Sequence, residues 1–103
     1  MRIMIKFRFP VEAGNEAIKS GKVERVFQQL MEELKPEAAY FYPEGGTRAG
    51  HLVVNMQESS QVAEAVERFS FGLNASIELV PVMAAEDLQK GLSTVPGVIQ
   101  RYG

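Results

Sequence analysis

Seven side chains capable of chemistry fall at alternate positions of strand-like segments: Lys6 and Arg8, Tyr40 and Tyr42, His51 and Asn55, and Glu78. His51 is the sole histidine. An imidazole titrates near neutral pH, so it suits a general base or proton shuttle. The alternative is a structural histidine hydrogen-bonded to Tyr40. Glu78 is a second candidate to move a proton; its alternative is an ion pair with Lys6. Lys6 and Arg8 suit a carboxylate or a developing enolate, arginine through a bidentate contact. Tyr40 and Tyr42 would orient an aromatic ring or donate to an oxyanion. They serve equally well as packing at a subunit interface.

These groups share a surface only if the strands that carry them are in one register. Arg2 to Phe9 alternates strictly, with Ile3, Ile5, Phe7 and Phe9 on one side and Arg2, Met4, Lys6 and Arg8 on the other. A strand has period two, so its sheet is apolar on one face and cationic on the other. Gly45 and Gly46 suit the centre of a hairpin between Ala38–Tyr42 and a strand over His51–Met56 that starts near Arg48. That turn sets Tyr40 opposite His51, Tyr42 opposite Ala49 and Ala38 opposite Val53. On the reverse face it sets Phe41 against Gly50 and Ala39 against Leu52. A slip of one residue would oppose phenol to leucine and imidazole to alanine. Ser76–Val82 is the fourth strand, with Ile77, Leu79 and Pro81 inward and Glu78, Val80 and Val82 outward.

Two helical patterns lie between these strands. Val23, Val26, Phe27, Leu30, Met31 and Leu34 form one stripe at spacings of three and four, and Pro36 stops that helix beyond Lys35. Val62, Ala65, Val66 and Phe69 form the second stripe, with Ser59 or Ser60 as cap and Gly72 as stop. Before Gly21, Asn15 caps a short helical turn through Glu16, Ala17 and Ile18. Glu86 and Asp87 open a short last helix that Gly91 ends, and residues 95–102 show no clear period.

The order βαββαβ is a ferredoxin-like α+β arrangement with an antiparallel sheet and both helices on one face. The length of 103 residues specifies a single domain, 1–103, with 83–103 as a short helix and tail. A net charge of −2 gives no pull toward nucleic acid or anionic lipid. No cysteine is present, which excludes disulfides, thiolate catalysis and cysteine metal sites. One histidine without cysteine makes a poor metal site. Gly45-Gly46 is no phosphate loop, since no helix follows it. No cofactor is expected. Without a membrane-spanning run or a signal-like start, the expected location is cytoplasmic.

The outward face thus carries Lys6, Arg8, Tyr40, Tyr42, His51, Asn55 and Glu78 among Met4, Val53, Val80 and Val82. Its valines and tyrosines exceed what a solvated face needs, and its charges exceed what a dry interface tolerates. The mixture points to a dimer interface or a cavity wall.

The element order, the segment Glu78-Leu79-Val80-Pro81-Val82-Met83 and the acidic helix after it resemble the dimeric α+β barrel superfamily. This superfamily includes muconolactone isomerase and small cofactor-independent monooxygenases of antibiotic biosynthesis. Pro10-Val11-Glu12-Ala13-Gly14-Asn15 and Lys35-Pro36-Glu37-Ala38-Ala39-Tyr40-Phe41 look closer still to small bacterial proteins of that superfamily with no assigned activity. The resemblance implies a homodimer in which two sheets enclose a barrel. The chain has no tryptophan, whereas those monooxygenases typically use one beside asparagine, and the Asn-Trp-His set of the haem-degrading branch is missing.

The expected function is therefore binding of a small carbonyl-containing or aromatic metabolite inside a homodimer. Proton transfer by His51 or Glu78 would accompany it, with Lys6, Arg8, Tyr40, Tyr42 and Asn55 holding the ligand. The alternative is a non-catalytic ligand-binding or structural dimer whose polar interior satisfies itself.

Overall fold

Alternation, turn chemistry and helical stripes give four strands and five helices in the computed structural model, which describes residues 1–103. In chain order they are β1 (Arg2–Arg8), α1 (Val11–Lys19), α2 (Lys22–Leu34), β2 (Ala38–Glu44), β3 (Thr47–Asn55), α3 (Gln61–Leu73), β4 (Ser76–Pro81), α4 (Ala85–Leu92) and α5 (Val95–Tyr102). The sheet is antiparallel with strand order β2-β3-β1-β4. Helices α1 to α3 pack on one face, so the protein is α+β with a ferredoxin-like arrangement.

The hairpin register is the expected one, with Tyr40 opposite His51 and Phe41 opposite Gly50. Gly45 and Gly46 both have positive φ, +58° and +79°, as a two-residue turn of type I′ requires. The ladder runs on to Glu44 and Thr47, so the connection is only those two glycines. Gly50, within β3, lacks a side chain for a steric reason. A Cβ there would lie 2.6 Å from both Phe7 Cζ and the Tyr40 carbonyl oxygen.

The core joins the inward residues of β1 and β3 to the stripes of α2 and α3. Ile5, Phe7, Leu52, Phe69 and Leu73 are its largest fully buried side chains. Phe7 sits at the centre of a ring cluster, 5.2 Å from Phe69, 5.5 Å from Phe27, 5.7 Å from Phe9 and 6.1 Å from Phe41 between centroids. Burial of each such side chain contributes about 1.5–3 kcal/mol.

Several element ends differ from the sequence expectation. Residues 11–19 form a full helix, entered from Pro10, and Asn15 lies inside it instead of capping it. Gly21, at φ +77°, makes the break between α1 and α2. Lys35, at φ +46°, ends α2 just before Pro36. Helix α3 runs past Gly72 to Leu73 and ends at Asn74, in the left-handed region at φ +51°. Gly72 instead permits close helix packing, since a Cβ there would stand 3.2 Å from Val26 Cγ1. Neither expected serine caps α3 through its side chain; Gln61 Oε1 accepts from the backbone N–H groups of Gln57 and Glu58 at 2.7 and 2.9 Å. Helix α4 includes Gly91, and residues 95–102 form a fifth helix with Pro96 in its first turn. Proline is tolerated there because first-turn N–H groups have no helical acceptor.

Candidate functional site

The strand register sets Tyr40, His51, Lys6 and Glu78 in one row across the helix-free face. Tyr42, Ala49, Arg8 and Ser76 form the row on one side of it. Ala38, Val53, Met4 and Val80 form the row on the other. All the sequence-derived candidates therefore lie on one face, but side-chain contacts divide them.

His51 pairs with Tyr42, its diagonal neighbour, and not with Tyr40. Tyr42 Oη and His51 Nδ1 are 3.0 Å apart in a part-buried hydrogen bond. Both tyrosine rings lie 5.4 Å from the imidazole, tilted against it. The Nδ1 contact leaves Nε2 as the imidazole atom able to meet a ligand. Lys6 faces Glu78 in register, yet its ammonium lies 3.9 Å from Glu44 Oε1. Glu78 is exposed and joins none of the ion pairs.

Arg8 is held by the hairpin. Its Nη2 donates to the Glu44 carbonyl at 3.1 Å and to Thr47 Oγ1 at 3.2 Å. Asn55 accepts from the Met1 amine at 2.9 Å. At the same end of the sheet, Arg2 donates from Nε to Glu37 at 2.6 Å and from Nη1 to Asp87 at 3.4 Å. The hydrogen bond to Glu37, then the charges of Glu37 and Asp87, raise the Arg2 guanidinium above its ordinary pKa. No three of the histidine, aspartate and glutamate side chains gather into a group able to hold a metal ion.

A different concavity lies on the helix side, at the hairpin end of the sheet. A cleft of about 770 Å³ is lined by Phe9, Val11, Val23, Phe27 and Phe41, with Thr47 and Arg48 among its polar groups. The Phe27 and Phe41 rings meet edge to face at 5.4 Å, and Phe41 remains 58% exposed. Arg48 Nη2 donates to Asn15 Oδ1 at 3.0 Å. The Arg48 guanidinium has no carboxylate partner. Its Nη1 lies over α1, where a Cβ on Gly14 would be only 2.8 Å away. An apolar cleft with few polar groups and one uncompensated cation can hold an amphipathic anion. Of the sequence-derived candidates only Tyr42 lines this cleft; sequence reasoning missed the rest of the site. Residues from the β1–α1 connection, α1, α2 and the hairpin build it together, so no local spacing signals it.

Fold and clefts define a small ferredoxin-like α+β protein with two candidate surfaces on opposite sides of its sheet. The chain belongs to the family described as Domain of unknown function (DUF3303), which matches residues 1–95. No curated protein and no solved structure matches it. No helix is long and apolar enough to cross a membrane.

Proposed function

We propose that this protein is a homodimeric binding protein for a small aromatic or carbonyl-containing metabolite that bears a carboxylate. The observation that carries this reading is the aromatic cleft of Phe9, Phe27 and Phe41 beside the unpaired Arg48. Rings supply apolar area and edge contacts for an aromatic body. A guanidinium adds a charged, directional contact for the carboxylate. The dimer reading rests on the open sheet face, where half-buried Met4, Val53 and Val80 have no helix over them. Two such faces stacked against each other would form the enclosed barrel of the dimeric α+β type.

The probe for the cleft is 2-naphthoate, with 2-naphthalenemethanol as its neutral counterpart. Titration of the full chain should shift the amide resonances of Phe27, Phe41 and Arg48 in the naphthoate series. Arg48→Met should weaken naphthoate binding by about tenfold, the scale of one charged hydrogen-bonded contact, and leave the alcohol unaffected. Shifts centred on His51, or equal binding of acid and alcohol, would overturn the cleft assignment.

A second reading is supported by the Tyr42–His51 pair. On the open face, Nε2 of His51 would take a proton from a ligand, with Lys6 balancing the charge that develops and Tyr40 beside the ring. Glu78 would serve there as an alternative proton acceptor, and Arg8 and Asn55 would join only by releasing the hairpin and the Met1 amine. This reading predicts that His51→Gln abolishes turnover of a ligand bound on that face. Unchanged turnover in that variant refutes it.

A further inference from the structure

Helices α4 and α5 bury no residue. The radius of gyration is 17.0 Å and the longest extent 58 Å, whereas a compact domain of this length has a radius of gyration of about 13 Å. Residues 83–103 therefore stand off the body as an arm. The arm is amphipathic. Leu88 and Leu92 lie one turn apart on α4, and Val95, Val98, Ile99 and Tyr102 follow the three-and-four spacing of a single stripe on α5. Leu92 is 55% and Ile99 60% exposed. Helices this short are marginal alone in water, so such a stripe calls for a surface to cover it.

The root of the arm indicates which surface. Asp87 binds Arg2, whose side chain belongs to the open face of the sheet, at the end where β1 starts and β4 finishes. The aromatic cleft lies at the opposite end, beside the hairpin. The arm thus leaves the body on the side of the open face and away from the cleft.

We infer that the α4–α5 arm packs on a second copy of this chain, over its β4 edge and the adjoining rim of its open face. Charge complementarity supports that occupant. Glu78 on β4 has no cationic partner, and Arg101 on α5 has no carboxylate partner and only stacks at 5.8 Å over Tyr102. Val80, on the edge strand with Glu78, and Val82, just beyond its end, offer an apolar rim for Leu92 and Ile99 and leave Met4 and Val53 to the stacked sheets. The arm would also cover the unpaired edge of β4, which is otherwise open to strand addition. Each chain carries one arm and one receiving surface, and a reciprocal exchange of arms between two copies closes by a two-fold axis. The inference rests on the homodimeric part of the proposed function and is independent of the ligand cleft.

Light scattering after gel filtration tests it on the full chain. The expected mass is twice 11.4 kDa. Leu92→Asp/Ile99→Asp, whose positions are exposed in the single chain, should give the single-chain mass with the amide resonances of the four-stranded sheet unchanged and the helical signal of the uncovered arm reduced. Glu78→Arg should raise the dimer dissociation constant at least tenfold, and adding Arg101→Glu to it should restore the original value. A Leu92→Asp/Ile99→Asp protein that remains a dimer overturns the arm and leaves the homodimer standing. A monomeric starting protein overturns both.

Discussion

Tyr42 and His51 are diagonal neighbours on adjacent strands, and their side chains are joined by a 3.0 Å hydrogen bond between Oη and Nδ1. Tyr40, directly opposite His51, makes only a tilted ring contact at 5.4 Å. A direct cross-strand pair brings Cβ atoms closest, but a diagonal neighbour lies within reach of a long aromatic side chain. The phenol oxygen stands at the far end of its ring and meets the imidazole along the diagonal.

This asymmetry separates two conservative changes. Tyr42→Phe should destabilise the protein by about 0.5–1.5 kcal/mol, the usual net value of one hydrogen bond. Tyr40→Phe should have no comparable effect. Urea unfolding of both variants checks the difference, and equal losses would mean that the bond contributes nothing.

Gly50→Ala should be costly for steric reasons. The new methyl would meet Phe7 Cζ and the Tyr40 carbonyl at 2.6 Å, and the backbone atom cannot swing away. Overpacking of this kind costs about 1–3 kcal/mol. The variant should unfold at correspondingly lower denaturant, with disturbed aromatic resonances from the Phe7 cluster.

Phe69→Ala should remove about 3–5 kcal/mol, because Phe69 is fully buried and stacks on Phe7 at 5.2 Å. A loss that large takes up much of a small domain's stability. A loss below 1 kcal/mol in chemical denaturation would mean that the Phe7 cluster does not organise the core.

The Arg2–Glu37 contact gives a pH prediction. Its hydrogen bond raises the folded-state pKa of Arg2 above the unfolded value. The stability it contributes is therefore fully present below the unfolded value and is lost only as pH rises through the folded one, in strong alkali. Arg2→Gln should then lower the thermal midpoint by the same amount at pH 6 and pH 9. Arg2 is exposed, so the change should be small. A difference between the two pH values would show that another titrating group controls the contact.

The fold was legible because its signals are local. Two glycines between Tyr42 and Arg48 specified a hairpin register that the sheet adopts pair by pair, and the alternation in Arg2 to Phe9 specified which of its side chains face the core. Residues 95–102 show no clear period on first reading because Pro96 and Gly97 interrupt the apolar run, although Val95, Val98, Ile99 and Tyr102 carry a helical stripe. Proline in a first turn is no obstacle. Asn15 was misjudged for a related reason, because Pro10 already starts α1 upstream of it.

The sequence by itself determined which residues share a face, since side-chain direction follows from strand and helix period. Tertiary structure decided which atoms meet. It paired Lys6 with Glu44 instead of Glu78, bound Arg8 to the hairpin carbonyl of Glu44, and gave Asn55 to the Met1 amine. It also brought Phe9, Phe27 and Phe41 around one cleft with Arg48 at hand. The physical reason is reach. A period fixes where a side chain starts, while the partner of its terminal atoms depends on every element packed within a few ångströms.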